Sequence, residues 1–345
     1  MNPASSSKKS LGFLSFGHWS PTHGSRVRNA AEALAQAIEL TVAAEEIGLE
    51  GAYFRVHHFA PQHSSPFPLL AAAGAKTSKI ALGTAVIDMR YENPFHMAET
   101  AAVADLIAGG RLELGISRGI PEPMMALWHA SEPIGDPHKS DIDLARERAQ
   151  RLLDLVSGSE FSPPASSHPL APRHALRVEP QSPGLRERIW WGSASIATAR
   201  WAAAMGMNLQ SSTLKEDEGG KPFHVQQREQ IEAYRDAWKA AGHARAPRVS
   251  VTRSIFALVN DRDVAYFGRD RNAGDHFGWF DEQTRLVFGR GYAAEPDVLA
   301  RLLAQDEAIA AADTLLLTIP NQLGVDYNVH LLGSILQHVA PQLGW

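Results

Sequence analysis

The sequence predicts an α/β fold, a closed (β/α)8 TIM barrel, and three observations carry that expectation. Strand-like and helix-like segments alternate along most of the chain. Eight strand-like segments can be counted, the number a barrel needs. Where an open dinucleotide-binding sheet would carry Gly-x-Gly-x-x-Gly, the chain reads Phe16-Gly17-His18-Trp19-Ser20-Pro21. The 345 residues suffice for one barrel domain over 1–345 with insertions, since such barrels need about 250.

The strands are expected at Leu11–Gly17, Gly51–His57, Lys79–Ile87, Arg111–Ser117, Arg188–Gly192, Asn208–Ser212, Val249–Val259 and Thr314–Ile319. Between them, Ala30–Ile47 carries Leu34, Ile38 and Val42 at four-residue spacing and stops at Gly48, as a helix does. Further helices are expected at Pro68–Lys76, Phe95–Ala108, Ile142–Val156, Ala197–Met205, Gln226–Gly242, Pro296–Ala311 and Asn328–Val339. The regular beat breaks twice. Gly119–Gln181, with Pro-rich loops around one helix, reads as an insertion after the fourth strand, and Asp261–Gly291 as one after the seventh. The second is rich in glycine and charge yet holds Phe277, Trp279 and Phe280, a composition expected of a mobile lid.

Composition excludes several functions. Without cysteine there is no disulfide, thiolate metal site or thiol nucleophile, and a reducing cytoplasmic setting suits the chain. A net charge of −5 argues against a nucleic-acid surface. No apolar run approaches the ~18 residues that span a bilayer, and Leu11–Trp19 lacks a cleavage site after it.

In a barrel the chemistry sits at the C-terminal ends of the strands. Along Arg111–Ser117, period-two alternation turns Leu112, Leu114 and Ile116 toward the helices, and Glu113, Gly115 and Ser117 into the lumen. Arg118 follows, a fixed charge suited either to a phosphate or to a rim carboxylate. Gly115-Ile116-Ser117-Arg118-Gly119 also spells the Gly-x-Ser-x-Gly elbow of serine hydrolases, with Ser117 as nucleophile. That motif needs a helix at once, which Ile120-Pro121-Glu122-Pro123 resists. Ala81, Gly83 and Ala85 form a small-residue face that either admits a flat ring or fills a tapering barrel. His57 faces the lumen if Phe54 and Val56 pack outward, where an imidazole serves as a general base. His58 faces the other way and no zinc-like spacing completes the pair with His63, so no metal site is expected. Gly192-Ser193-Ala194-Ser195 leads into a helix, which makes either an anion site or an ordinary serine cap.

The stretch KIALGTAVIDMRYENPFHMAETAAVADLIAGGRLELGISRG, residues 79–119, resembles the bacterial luciferase-like flavin monooxygenases, as do His57-His58-Phe59 and Gly192–Ser195 in order and spacing. The likeness covers the first six strands; beyond residue 213 only the helix–strand order continues it. It implies a homodimeric barrel that binds FMN at its C-terminal mouth, with His57 as catalytic base. It further implies that Arg118, Ser193 and Ser195 hold the phosphate, that Ala85 lies under the ring, and that Ser117, Gly192 and Ala194 complete the cofactor site. A non-proline cis peptide is common in the family and would fall at Ala85-Val86. Luciferase itself has cysteine in place of Ser117, and glutamates in place of Val56 and Gly192, so light emission is not expected. The activity implied is a two-component monooxygenase: a separate flavin reductase supplies reduced FMN, which uses O2 to oxygenate a small organic substrate. Rival readings are deazaflavin-dependent hydride transfer on the same barrel, a serine hydrolase, and a non-catalytic flavin-binding protein. Trp19, His18 and the loop 120–128 are positioned to line the pocket.

Overall fold

A computed structural model of the protein describes residues 8–119, 140–161, 175–217, 219–269, 273–279 and 285–345. In chain order the strands are β1 (Ser10–Ser15), β2 (Gly51–Phe54), β3 (Ala81–Thr84), β4 (Ile87–Asp88), β5 (Leu112–Ser117), β6 (Ile189–Ser193) and β7 (Asn208–Ser211). They continue with β8 (Leu214–Glu216), β9 (Val249–Arg253), β10 (Ile255–Ala257), β11 (His276–Trp279), β12 (Arg285–Phe288), β13 (Tyr292–Ala294) and β14 (Thr314–Ile319). The main sheet runs β3-β2-β1-β14-β9-β7-β6-β5-β4, all parallel, and β3 pairs again with β5 through Leu82↔Leu112 and Gly83↔Glu113. That last pairing closes an eight-stranded barrel, as the alternation predicts.

Each strand feeds a helix that covers it. Leu112, Leu114 and Ile116 of β5 belong to the continuous core between sheet and helices, together with Phe54, Val56, Leu82, Leu152 and Trp191. The lumen is filled separately by Leu14, Tyr53 and Leu316, with Phe16 and Ala85 packed against them. Toward the N-terminal end of the strands, the Glu113 carboxylate accepts from both Arg248 Nη atoms at 2.8 Å and from Trp190 Nε1 at 2.6 Å, so the barrel is plugged rather than open. The alternation along the fourth strand is therefore borne out on both faces.

Local chemistry explains why the chain turns where it does. Asn93 caps the helix Pro94–Ile107, accepting from the backbone N–H of Phe95 at 2.9 Å, with Pro94 in the first turn. The helix ends in Gly109 and Gly110, both at positive φ, where a side chain would be strained. Asp105, fully buried, accepts from the N–H of Leu112 at 2.9 Å and from Arg188 Nη2 at 2.6 Å. The Asp–Gly-Gly-Arg turn thereby locks a helix to the strand that follows it.

Several expected boundaries move. The second strand ends at Phe54, three residues before His57. The third stops at Thr84; the Ala85-Val86 peptide is cis, as the family resemblance implies, and β4 resumes after it. The expected strand Val249–Val259 divides at Ser254: β9 stays in the barrel and β10 leaves to pair with β13. The expected helix Pro296–Ala311 breaks before Asp306, whose carboxylate caps a second helix, Glu307–Ala311. The excursion after the seventh strand contains the helix Asp261–Phe267 and a hairpin of β11 and β12, which adds to β8 as a small antiparallel sheet. Its described parts are thus regular structure built onto β8, while Phe280 lies outside the described residues. Of the segment after β5, residues 120–139 and 162–174 also lie outside them, the pocket-lining expectation for 120–128 included. Among the described residues no helix is long and apolar enough to cross a membrane.

Candidate functional site

The sequence-predicted residues arrive at the C-terminal mouth of the barrel from β2, β3–β4, β5 and β6. Ala85 is fixed by its N–H, which donates to Phe54 O at 3.0 Å, and by the lumen cluster beneath it. Ser117 is buried at the end of β5 opposite Asp88 of β4, and its carbonyl accepts from Met89 N–H at 2.9 Å. Gly192 closes this group: a Cβ there would stand 2.9 Å from Val86 Cγ1 and 3.3 Å from Ser117 Cβ. Ala85-Val86, Ser117 and Gly192 therefore form one contiguous floor, with no room for the glutamate that luciferase carries.

The Ser117 Oγ accepts from the N–H of Gly119 at 2.8 Å, and among the described residues no histidine hydrogen-bonds to it. Among the described residues the hydrolase reading therefore finds no base. Gly119 itself is at φ +76°, where a Cβ would fall 2.1 Å from Asp88 Oδ2. Asp88 is engaged by Arg90 Nη2 at 2.6 Å, and Arg90 reaches Asp141 with Nη1 at 2.7 Å. Arg118 is half-buried and has no carboxylate partner among the described residues. Among those residues the ion pair, one of the two roles open to Arg118, is not seen.

The Gly192–Ser195 loop crosses the top of β6 into the helix Ile196–Ala204. Ser195 is the N-cap of that helix, its Oγ accepting from Thr198 N–H at 3.4 Å. Ser193 is buried, and its hydroxyl donates to Ser195 O at 2.9 Å, so it faces below the loop rather than the rim. Among the described residues nothing accepts from the N–H groups of Ala194 and Ser195. Two N–H groups without an acceptor among the described residues, a helix start and a half-buried arginine just past the neighbouring strand suit a phosphate monoester. The small floor fits a planar ring, so the residues present suit a phosphate-bearing flavin.

His57 is half-buried just beyond β2, its N–H donating to His63 O at 2.8 Å. Phe54 and Val56 pack outward, while Arg55 stacks on Phe16 at 5.1 Å, which keeps the Arg55/His57 face toward the lumen. Burial, and then the positive charge of Arg55 and the nearby His57, push the His18 ring below the usual histidine value. Burial likewise lowers His63, which packs edge-on against Phe54. The rings around His57 are thus held neutral at pH 7, an environment in which one imidazole can move a proton. His58 stacks on Tyr91 with ring centroids 3.7 Å apart, on the other side of the chain from His57.

Sequence reasoning missed the polar support beneath the mouth. Gln210 of β7 donates from Nε2 to Thr84 O at 3.1 Å, bracing the residue before Ala85. Gln227 and Gln230 are both fully buried on the helix Phe223–Ala241: Gln230 holds the underside of the Ser193 loop, and Gln227 holds Ser211 and Ser212 at the end of β7. A signal was present: Gln230 shares an i, i+4, i+8 stripe with Tyr234 and Trp238, and amides on an apolar stripe have work to do inside.

The family model described as luciferase-like monooxygenase matches residues 14–302. The oxygenase component of the flavin-dependent trigonelline monooxygenase of Acinetobacter baylyi is 34% identical over 274 residues, 73% of this chain and 68% of its own. An uncharacterized Bacillus subtilis protein, YwcH, is 25% identical over 240 residues, 68% of this chain. The match spans 65% of YwcH, so the chain covers just under two thirds of that relative. A Nocardia farcinica F420-dependent glucose-6-phosphate dehydrogenase is 33% identical over 125 residues, 34% of each chain. Among solved structures, monooxygenase RslO1 of Streptomyces bottropensis superposes with a TM-score of 0.73 at 17% identity, covering 96% of this chain and 99% of that one, which shows the same fold.

Proposed function

The chain belongs to the luciferase-like monooxygenase family of flavin-dependent oxidoreductases, and from that premise we propose that it is the oxygenase component of a two-component FMN monooxygenase. It takes reduced FMN from a separate reductase and oxygenates a small organic substrate with O2. What supports this reading is that Arg118, which has no carboxylate partner among the described residues, and Ala194 and Ser195, whose N–H groups find no acceptor among them, follow the ends of the neighbouring strands β5 and β6. Reduced FMN, when bound, supplies the electrons that activate O2.

The chain's own residues do the rest. Arg118 and the Gly192–Ser195 loop hold the phosphate, Ser195 through its cap position and Ser193 by shaping the loop from below. Ala85, Ser117 and Gly192 provide a flat, unobstructed floor. His57, at the lumen side of the β2 end, moves the proton of the oxygenation step. The closed, plugged barrel would keep bulk water from reaching a bound ring through the lumen. A reductase-supplied cofactor fits a cytoplasmic enzyme.

Deazaflavin-dependent hydride transfer is the second reading, favoured by the F420-dependent relative, and uses the same phosphate rim. A homodimer is supported by the helix Pro94–Ile107, which exposes Val103, Leu106 and Ile107 at 44, 48 and 49% as an apolar face.

Titration with FMN, reduced FMN and a deazaflavin in turn, followed by visible absorption, tests the assignment. Tightest binding of reduced FMN is expected. Selective binding of the deazaflavin would transfer the protein to the second reading, and binding of none would remove both.

A further inference from the structure

We propose that Gln230 is a positioning residue for phosphate recognition: its side-chain amide sets the direction in which the Ser193–Ser195 loop points its N–H groups. The inference rests on the reading of that loop as the phosphate rim. In a trans peptide the C=O and N–H point opposite ways. Anchoring a carbonyl below the loop therefore aims the next residue's N–H above it.

All three carbonyls of the loop are anchored. Gln230 Nε2 donates to Ser193 O at 3.3 Å, to Ser193 Oγ at 3.2 Å and to Ser195 O at 3.0 Å. Ser193 O also accepts from Ser212 N–H at 3.0 Å. Ala194 O accepts from Glu216 N–H at 3.2 Å and from Lys215 Nζ at 3.3 Å. Of the N–H groups in these peptides, those of Ala194 and Ser195 find no acceptor among the described residues; Gln230 sets the first through Ser193 O, and Glu216 and Lys215 set the second through Ala194 O. By holding Ser193 O and Ser195 O, Gln230 fixes both ends of the loop from one side chain on the helix beneath it.

The amide cannot rotate out of this role. Its Oε1 accepts from Ser211 Oγ at 2.7 Å, and Ser211 Oγ accepts from Gln227 Nε2 at 3.0 Å. Gln227 Oε1 accepts from Arg253 Nη2 at 2.7 Å, and Arg253 is paired with Asp306 through Nε at 2.8 Å. Each link has its donor and acceptor fixed by the next, because an arginine can only donate. With Gln230 Oε1 committed to a hydroxyl, Nε2 must face the loop. A chain of buried, satisfied groups is rigid, and a rigid scaffold is what an anion site made of backbone dipoles requires.

The test measures FMN and riboflavin affinity, by quenching of flavin fluorescence, in the wild type and in Gln230→Met, Ser211→Ala and Arg118→Ala. Gln230→Met keeps the length of the side chain and removes the donors. It should weaken FMN about tenfold, the lower end of what a charge-assisted hydrogen bond contributes, while riboflavin stays within about twofold. Ser211→Ala, which frees the amide but leaves it in place, should show a smaller loss of the same kind and carries the test if Gln230→Met does not fold. Equal losses of FMN and riboflavin, or no loss of either, would overturn the proposal. Arg118→Ala separates the two levels. If it lowers FMN selectively and Gln230→Met does not, only the role of Gln230 falls. If it too fails to discriminate, the phosphate reading falls and the inference with it.

Discussion

Asp306→Ala is expected to cost about 4–6 kcal/mol of stability. The side chains of Arg253 and Asp306 are 2% and 0% exposed, and their contact is two-pronged, Nε–Oδ2 at 2.8 Å and Nη2–Oδ1 at 3.1 Å. Burial alone would raise the Asp306 carboxyl, but the Arg253 charge and the donors around it hold it below the usual value. Removing the carboxylate leaves a buried guanidinium without its counter-charge, which costs about 3–5 kcal/mol. The same carboxylate accepts from the N–H groups of Ala308 and Ile309 at 3.1 and 2.9 Å, so a helix cap of about 1 kcal/mol goes with it. With a urea slope of about 3 kcal/mol/M for a chain of this length, the midpoint should fall by roughly 1.3–2 M. The double variant Arg253→Met with Asp306→Asn removes both charges and keeps a capping oxygen, and should recover at least half of the loss. A loss under about 1 kcal/mol for Asp306→Ala, or a double variant worse than either single one, would refute the reasoning.

Further outcomes are expected. His57→Ala should leave FMN affinity near wild type and cut turnover by about 10²–10⁴, as loss of a general acid or base does; unchanged turnover would exclude the role. His18 and His63 are held neutral, so the unfolded chain binds protons at the ordinary histidine pKa that the folded chain refuses. Stability should therefore fall as pH drops through about 6.5 and draw no dependence from these rings above it. His63→Leu should flatten that slope in urea midpoints taken from pH 7.5 to 5.5, and an unaltered slope would contradict the assignment. Leu106→Glu places a charge on the exposed face of the helix Pro94–Ile107 and should convert a dimer to monomers in sedimentation without loss of FMN binding. A wild-type protein that sediments as a monomer would dispose of the dimer.

The parts of the molecule legible in the sequence are those set by local periodicity. β5 could be oriented residue by residue because Leu112, Leu114 and Ile116 alternate with Glu113, Gly115 and Ser117, and a barrel buries both faces for different reasons. Ser195 could be read as a cap because capping is a contact within three residues. The break at Ser254 was not legible, since β10 leaves the barrel for a partner, β13, far along the chain. The hairpin of β11 and β12 was hidden for the same reason: glycine and charge suggest looseness, whereas pairing with β8 gives it a sheet to join. Arg118 was ambiguous between phosphate and carboxylate because the pairs that bear on it, Arg90 with Asp88 and with Asp141, join segments far apart in the chain. The glutamines beneath the loop stood in plain view as polar residues on a buried helix face, and only their partners gave them a purpose.

The central claim is that the barrel mouth recognises a flavin by its phosphate, and the affinity ratio of FMN to riboflavin in wild type and Arg118→Ala tests it most directly. A charge-assisted contact of about 1.5–3 kcal/mol predicts that the substitution weakens FMN roughly ten- to a hundredfold and leaves riboflavin nearly unchanged. Equal affinities for the two ligands in the wild type, or equal losses in the variant, would contradict it.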